Sequence, residues 1–182
     1  QRLNSAGLKT FARGSVDDLI MASNSIRIIY TFGASSNEQG SDGVIVPNAR
    51  FSGLMSSFIL LGRAEEAAGM ERALLSYTFS LGHFEMGSYE LFVSLVSLQR
   101  QILNEFSLQN PEYIEHIFAT TYTDQAVTEV EKFRDIAVNK ASQGDFGVDS
   151  EQWFHVSSQR IELLHRVKDE IVELIKQHSL QG

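Results

Sequence analysis

The chain contains no cysteine and only two prolines, Pro47 and Pro111, among its 182 residues. Without cysteine there can be no disulfide, no thiolate nucleophile and no thiolate metal site. Because prolines are so few, long helices are permitted almost everywhere, and the alternation of apolar and polar residues that marks strands is hard to find. The sequence therefore predicts an all-α fold.

Long apolar runs and basic clusters are also missing. The longest nearly unbroken apolar stretch, Phe58–Leu61, is far shorter than the roughly 20 residues that span a bilayer. A net charge of −8 without Lys/Arg clusters argues against nucleic acid as a partner. Hydrophobic residues form 43% and charged residues 21% of the chain, as in folded proteins. We expect one domain over residues 1–182, forming a soluble segment of a larger protein.

Turn and capping residues divide the chain into six or so helices. A first helical region is predicted over Leu3–Ser36, and the polar run Ser35–Gly43 reads as an exposed loop. Further helices are predicted over Asn48–Leu81, from Ser88 to about Leu108, from the Asn110–Pro111 cap to about Tyr122, after the N-cap Asp124, and over Trp153–His178 behind the capping residue Asp149. Short links between long helices favour an antiparallel bundle.

Two of these helices carry an arginine on the stripe that should face the core. The stripes are Leu54, Phe58, Leu61, Glu65, Ala68, Arg72, Leu75, Phe79 and Trp153, Ser157, Arg160, Leu164, Val167, Ile171, Leu174. A buried guanidinium needs an anion. Arg72 and Arg160 would together grip a small oxyanion if they converge from two rigid helices.

A structural alternative is that Arg72 and Arg160 pair with Glu65 or Glu71. A buried ion pair often stabilises a protein no more than apolar packing would, which favours a ligand role for the arginines. Gly69 lies one turn before Arg72 and costs about 1 kcal/mol relative to alanine inside a helix. Close packing of another helix is the favoured explanation for this glycine, and room for a ligand is the other.

Catalytic and metal-binding patterns are weak. A di-iron carboxylate bundle requires two Glu-x-x-His motifs, and the sequence has a single one, at Glu162 and His165. No Gly-x-Ser-x-Gly elbow and no phosphate-binding loop occurs. Trp153 and Phe154 either line a pocket or, as we favour, close one end of the bundle. We predict neither an enzyme nor a cofactor.

Two segments resemble the nitrate- and nitrite-sensing (NIT) domain of bacterial receptors and transcription antiterminators. Glu65–Leu74, EEAAGMERAL, is similar to the family's Glu-Ala-Ala-Gly-x-Glu-Arg-Ala signature. Val148–Phe154 and the following Gln159–Glu162 are similar to its Val-Asp-x-x-x-Trp-Phe and Arg-Ile-Asp elements, and the order and spacing agree over roughly Asn48–Lys168. The resemblance implies a helical ligand-binding module, commonly joined to histidine kinases, chemoreceptors, cyclases or RNA-binding output domains.

The resemblance also implies which residues hold the ligand. In that family arginines bind the anion at helix interfaces, and Arg72 and Arg160 match two of them by position. The family's first helix typically carries Gln-x-Glu-Arg-Gly, of which Gln1–Gly7 retains the outline, with Arg2 as the candidate. The residues expected to line the pocket are Glu65, Ala68, Gly69, Glu71, Trp153 and Ser157.

We therefore expect a sensor domain that binds a small anion, nitrate or nitrite, between helices. The sensor would act as a homodimer and pass a helix displacement to a covalently linked output domain outside this chain. The alternative is a ligand-free helical dimerisation or interaction module whose arginines form structural ion pairs. We expect a periplasmic or extracellular part of a membrane-anchored receptor, with the cytoplasm as the other possible location.

Overall fold

Five α-helices form the part of the chain that the computed structural model describes, residues 49–109 and 112–180. They are α1 (Ala49–Leu81), α2 (Ser88–Gln109), α3 (Glu112–Thr121), α4 (Gln125–Asn139) and α5 (Ser150–Leu180). These described residues contain no strand, and the predicted all-α fold is confirmed. The helix predicted over Leu3–Ser36, the loop at Ser35–Gly43 and the cap at Asn110–Pro111 lie outside the described residues.

The two longest helices, α1 and α5, form the centre of this bundle and run antiparallel. Phe51 near the start of α1 stacks on His178 near the end of α5, with ring centroids 6.2 Å apart. Further along α1, Arg72 contacts Ser158 in the first half of α5. Helix α2 packs against α1, while α3 and α4 pack against α5. Side chains from four helices can therefore meet beside the α1–α5 contact.

The apolar stripes of α1 and α5 contribute to the core where these two helices pack against each other. Leu61 and Leu75 on α1 are fully buried, as are Leu164, Val167 and Ile171 on α5. Burying each such side chain stabilises the fold by about 1.5–3 kcal/mol. The stripes predicted these five positions correctly. Among the described helices, none combines the length and the hydropathy that a membrane-spanning segment requires.

A glycine ends α1 and anchors the loop between α4 and α5. Gly82 has a φ of 85°, a left-handed conformation that glycine adopts without steric strain. Its carbonyl oxygen accepts a hydrogen bond from the backbone N–H of Asp145 at 2.8 Å. A Cβ on Gly144 would lie 2.6 Å from the same carbonyl oxygen, so only glycine fits there. This contact fixes the start of α5 beside the end of α1.

Aspartate side chains cap α4 and α5, as the sequence predicted. The Asp124 carboxylate accepts a hydrogen bond from the backbone N–H of Ala126 at 2.9 Å. The Asp149 carboxylate accepts one from the N–H of Glu151 at 3.1 Å, so α5 begins at Ser150, directly after this cap and before Trp153, where the predicted stripe starts. The extent of the domain over residues 1–182 stays a prediction.

Candidate functional site

Arg160 is buried on α5, as its stripe predicted, with an exposed fraction of 2%. Its Nη2 donates to Oε1 of Gln99 at 2.6 Å and to Oε1 of Glu71 at 3.3 Å. Its Nη1 donates to the Tyr122 hydroxyl at 3.3 Å. Arg160 therefore contacts α1, α2 and the segment that follows α3, and the proposed alternative of pairing with Glu71 is realised for this arginine.

A second buried arginine, Arg134 on α4, converges on the same carboxylate. Its Nε and Nη2 donate to Oε2 and Oε1 of Glu71 at 2.7 and 2.8 Å. Its Nη2 also donates to Oε1 of Gln99 at 3.1 Å, and its Nη1 donates to Oε1 of Glu131 at 2.7 Å. Each nitrogen of the Arg134 guanidinium therefore already has an acceptor.

Arg134 is not among the residues predicted from the sequence, although the sequence carries a signal for it. It lies four residues after the buried Val130 and therefore on the same helical face. The buried positions of α4 are Ala126, Val130, Phe133, Arg134 and Ala137. The apolar face of α4 therefore indicates that Arg134 is a third arginine directed toward the core.

We call Glu71, Gln99, Arg134 and Arg160 the buried polar cluster. Glu71 is 0% exposed, and this one carboxylate faces two guanidiniums. The cluster therefore holds one excess positive charge. Glu131, which also pairs with Arg134, and its other partner Arg100 are both partly exposed, so this excess is counted over the buried side chains alone. Because an uncompensated charge is costly to bury, a bound anion would be favoured here.

Two buried polar atoms on α5 have no hydrogen-bond partner among the described residues: Oγ of Ser157 and Nε of Arg160. Residues three apart on a helix are neighbours on its surface, so Ser157 and Arg160 share a face. A buried polar group without a partner costs about 1–3 kcal/mol. These two groups provide hydrogen-bond donors for an acceptor such as an oxyanion.

Arg72, the other arginine of the predicted pair, is half-buried instead of lying in the core. Its Nη1 donates to Oγ of Ser158 at 2.9 Å, and its guanidinium carbon lies 4.7 Å from the centroid of the Phe154 ring, a cation–π contact. Glu71 takes the inward position, because α1 packs against both α2 and α5 and buries the sector between them. The expectation that the Arg72 stripe position points inward was therefore wrong.

The structure does not bring Arg72 and Arg160 to a common partner. The described contacts of Arg72 are with Ser158 and Phe154, whereas Arg160 contacts Glu71, Gln99 and Tyr122. Among the described contacts, the two arginines therefore share no partner. Within the described residues, no carboxylate lies within ion-pair distance of Arg72.

Trp153 ties the start of α5 to the backbone of α1 at Arg72. Its indole N–H donates to the Arg72 carbonyl oxygen at 3.0 Å, and the Ser76 hydroxyl donates to the same oxygen at 2.6 Å. Trp153 is fully buried and packs edge-on against Phe79 and Phe133. Trp153 thus closes the end of the bundle as predicted, whereas the same prediction was wrong for Phe154, which is exposed.

Two of the other predicted lining residues differ in their surroundings. Ala68 is fully buried. Gly69 is half-buried, and no described atom lies within 4 Å of the position that a Cβ would take there. No described helix packs closely against Gly69, so both explanations for this glycine, helix packing and room for a ligand, stay predictions.

Glu65 binds α5 away from both predicted arginines. One of its carboxylate oxygens lies 3.0 Å from Nδ1 of His165, and the other accepts a hydrogen bond from Lys168. Glu65 is therefore engaged in an ion pair of its own. The remaining candidate, Arg2, lies outside the described residues.

The pKa values of Arg134 and Glu131, which pair with each other on α4, are both shifted in the direction that favours the charged form. Burial alone would lower the pKa of Arg134, but its bonds to Glu71, together with the charge of Glu131, raise that pKa above its usual value. Burial would likewise raise the pKa of Glu131, but Arg134 and Arg100 hold it below its usual value. Arg134 therefore stays charged, and Glu131 stays ionised into the mildly acidic range.

Glu131→Gln should make the stability of the protein less dependent on pH under acid conditions. The pKa of Glu131 is lower in the folded state than its ordinary value of 4.5. Its stabilisation is therefore complete above that value and is lost as the pH falls through the folded-state pKa. Between about pH 5 and pH 3, the melting temperature of the wild type should fall more steeply than that of the variant.

The matched control for this prediction is Glu129→Gln on the same helix, where the carboxylate accepts a hydrogen bond from the Gln125 amide. The control should keep the pH dependence of the wild type. Equal slopes for Glu131→Gln and the wild type would show that the pairing of Glu131 with Arg134 and Arg100 contributes nothing measurable in solution.

Comparison with known proteins identifies the family to which this chain belongs. A family model described as nitrate and nitrite sensing (NIT) matches residues 33–176. The chain is 25% identical over 127 residues to the nitrate regulatory protein of Klebsiella oxytoca, a match that covers 70% of this chain and 32% of that protein. The chain thus spans about a third of the length of this relative, and no solved structure matches. The resemblance noted in the sequence is confirmed, and the chain belongs to the nitrate- and nitrite-sensing NIT family.

Proposed function

We propose that this chain is the ligand-binding part of a signal-transduction protein and binds nitrate or nitrite through arginine side chains. Family membership implies the sensing of these anions. The observation that carries the proposal is the excess positive charge of the buried polar cluster, beside the unpaired Oγ of Ser157 and Nε of Arg160. One bound monoanion would neutralise that charge and accept hydrogen bonds from both donors.

The chemistry of the guanidinium suits this ligand. Nitrate is a flat monoanion with delocalised charge, and a guanidinium is flat, always charged and weakly hydrated. Charge-assisted hydrogen bonds of this kind are roughly twice as strong as neutral ones. In the proposed complex, Arg160 donates from Nε and Ser157 donates from its hydroxyl.

Arg72 is proposed as the second arginine of the site. Its guanidinium is half-buried, and Ser158 and Phe154, its partners among the described residues, carry no negative charge. Because Arg72 and Arg160 share no partner among the described contacts, binding of one small anion by both would draw the two arginines together and move α5 relative to α1. A shift of about 1–2 Å between packed helices is enough in known switches. This movement is the proposed signal, and α5 is its carrier.

The other functional assignments extend this proposal. The nitrate regulatory protein continues well beyond the matched segment, which supports a covalently linked output domain for this chain as well. A homodimer would let two α5 helices move against each other. Lining of the site by Glu65, Ala68, Gly69, Glu71 and Trp153 stays a prediction, as does a periplasmic or extracellular location.

The second candidate is a ligand-free helical interaction module. It is favoured by the ion pairs of Glu71 with Arg134 and Arg160, at 2.7 and 3.3 Å. In that case the arginines would only hold α1, α4 and α5 together. The charge excess of the cluster and the two unpaired donors on α5 are what this alternative leaves unexplained.

A nitrate titration followed by thermal unfolding should distinguish the two functions. A ligand at 100 times its dissociation constant stabilises the folded state by about 2.7 kcal/mol, which corresponds to about 2–4 °C in melting temperature for each kcal/mol. Sodium nitrate and sodium nitrite should raise the melting temperature in a saturable manner. Sodium chloride at equal ionic strength is the control, and identical curves for nitrate and chloride would favour the interaction module.

A further inference from the structure

We infer that Arg134 is a positioning residue for the anion site: its two-point ion pair holds Glu71 and keeps that carboxylate from neutralising Arg160. The inference rests on the proposed function, nitrate binding at Arg160. Arg134 thereby leaves the positive charge of Arg160 available to a ligand that Arg134 itself does not touch.

The distances around Glu71 show which arginine holds it. Arg134 donates to both carboxylate oxygens, at 2.7 and 2.8 Å, whereas Arg160 reaches one of them at 3.3 Å. A side-by-side pair of hydrogen bonds between guanidinium and carboxylate is both strong and geometrically specific. Glu71 is therefore committed to Arg134 and is only a weak partner of Arg160.

The other partners of Arg160 carry no charge. Its shortest hydrogen bond, at 2.6 Å, goes to the amide oxygen of Gln99, and a further one goes to the Tyr122 hydroxyl. The Gln99 amide is itself oriented, because its Nε2 donates to Glu71 and to the Leu95 carbonyl oxygen, both at 3.1 Å. Neutral acceptors thus hold the guanidinium of Arg160 in place without compensating its charge.

Removing Arg134 would change the partner of the buried carboxylate. Arg160 is the other arginine that contacts Glu71, so Glu71 would draw closer to it. A carboxylate bound there would both occupy the donors of Arg160 and repel an incoming anion. Every nitrogen of Arg134 already donates to an acceptor, so Arg134 acts on the site through Glu71.

The test compares nitrate affinities of the whole chain by isothermal titration calorimetry. Arg134→Gln should weaken nitrate binding by about tenfold or more, because Glu71 then competes for Arg160. The double variant Glu71→Gln/Arg134→Gln removes both the holder and the competitor, and it should bind within about threefold of the wild type. Lys132→Gln, an exposed position on the same helix with the same change in net charge, is the matched control and should bind as the wild type does.

Three outcomes would overturn the inference, and each is distinguishable from the others. If the double variant is as weak as Arg134→Gln, then Arg134 contacts the anion or supplies only charge. Wild-type affinity in Arg134→Gln would refute the positioning role and leave the proposed function intact. If the wild type itself does not bind nitrate, the proposed function fails and the inference fails with it. Should Arg134→Gln not fold, the affinity of the double variant alone decides, with wild-type affinity supporting the inference and a tenfold loss refuting it.

Discussion

Glu71→Ala is expected to lower the free energy of unfolding by about 3–5 kcal/mol, which is the usual effect of removing one partner from a buried ion pair. The carboxylate of Glu71 is fully buried and contacts two guanidiniums and the Gln99 amide. Without it, Arg134 and Arg160 would remain in the interior with two positive charges and no buried carboxylate between them. Urea denaturation followed by circular dichroism measures the loss.

The matched control is Glu66→Ala, an exposed glutamate on the same helix. Its effect should stay within about 0.5 kcal/mol, as for most surface substitutions. High nitrate should restore part of the stability of Glu71→Ala, because an anion can take the place of the missing carboxylate, and chloride at equal ionic strength should restore less. A loss no larger than that of the control would mean that the buried polar cluster does not form in solution.

Arg160→Ala is expected to abolish the stabilisation by nitrate, about 2.7 kcal/mol at 100 times the dissociation constant. In the proposed site this residue supplies the buried charge and the unpaired Nε. The helical content should be largely retained, because Glu71 keeps its two-point pair with Arg134. The measurement is the nitrate-dependent shift in melting temperature, with far-ultraviolet circular dichroism to verify the fold.

Three further variants make this experiment decisive. Arg166→Ala removes an exposed arginine from the same helix and should respond to nitrate as the wild type does. Arg160→Lys should rescue binding poorly, because lysine lacks the planar fork. Arg72→Ala should also lose the nitrate response if both arginines contact the ligand. Global unfolding of both alanine variants would instead favour a structural role for the two arginines.

Much of the fold was predictable from local sequence patterns. Glycine at the end of α1 and the caps Asp124 and Asp149 are local signals, because they satisfy backbone groups within a few residues. The apolar stripes predicted the core of α1 and α5, and with it the burial of Arg160. The two family signatures indicate nitrate and nitrite sensing without reference to the tertiary structure.

Those local patterns could not predict that Arg134 and Arg160 converge on the same carboxylate. The helical stripes predict that Arg160 converges with Arg72, whereas in the structure Arg160 shares the partners Glu71 and Gln99 with Arg134. Periodicity gives the face of a helix on which a residue lies, but not which neighbouring helix covers that face. Glu71 and Arg72 are consecutive, and only the packing of α2 on one side and α5 on the other buried the first and left the second half-exposed.

By itself, then, the sequence determined the helices, their caps, the inward position of Arg160 and the family. Only the tertiary structure decided that the Glu71 carboxylate on α1 binds two guanidiniums. They belong to Arg134 and Arg160, which lie 63 and 89 positions away along the chain. The physical reason is that helix formation and capping depend on neighbours within a few residues. The charge balance of a buried cluster depends instead on which side chains the packing of several helices brings within hydrogen-bonding distance.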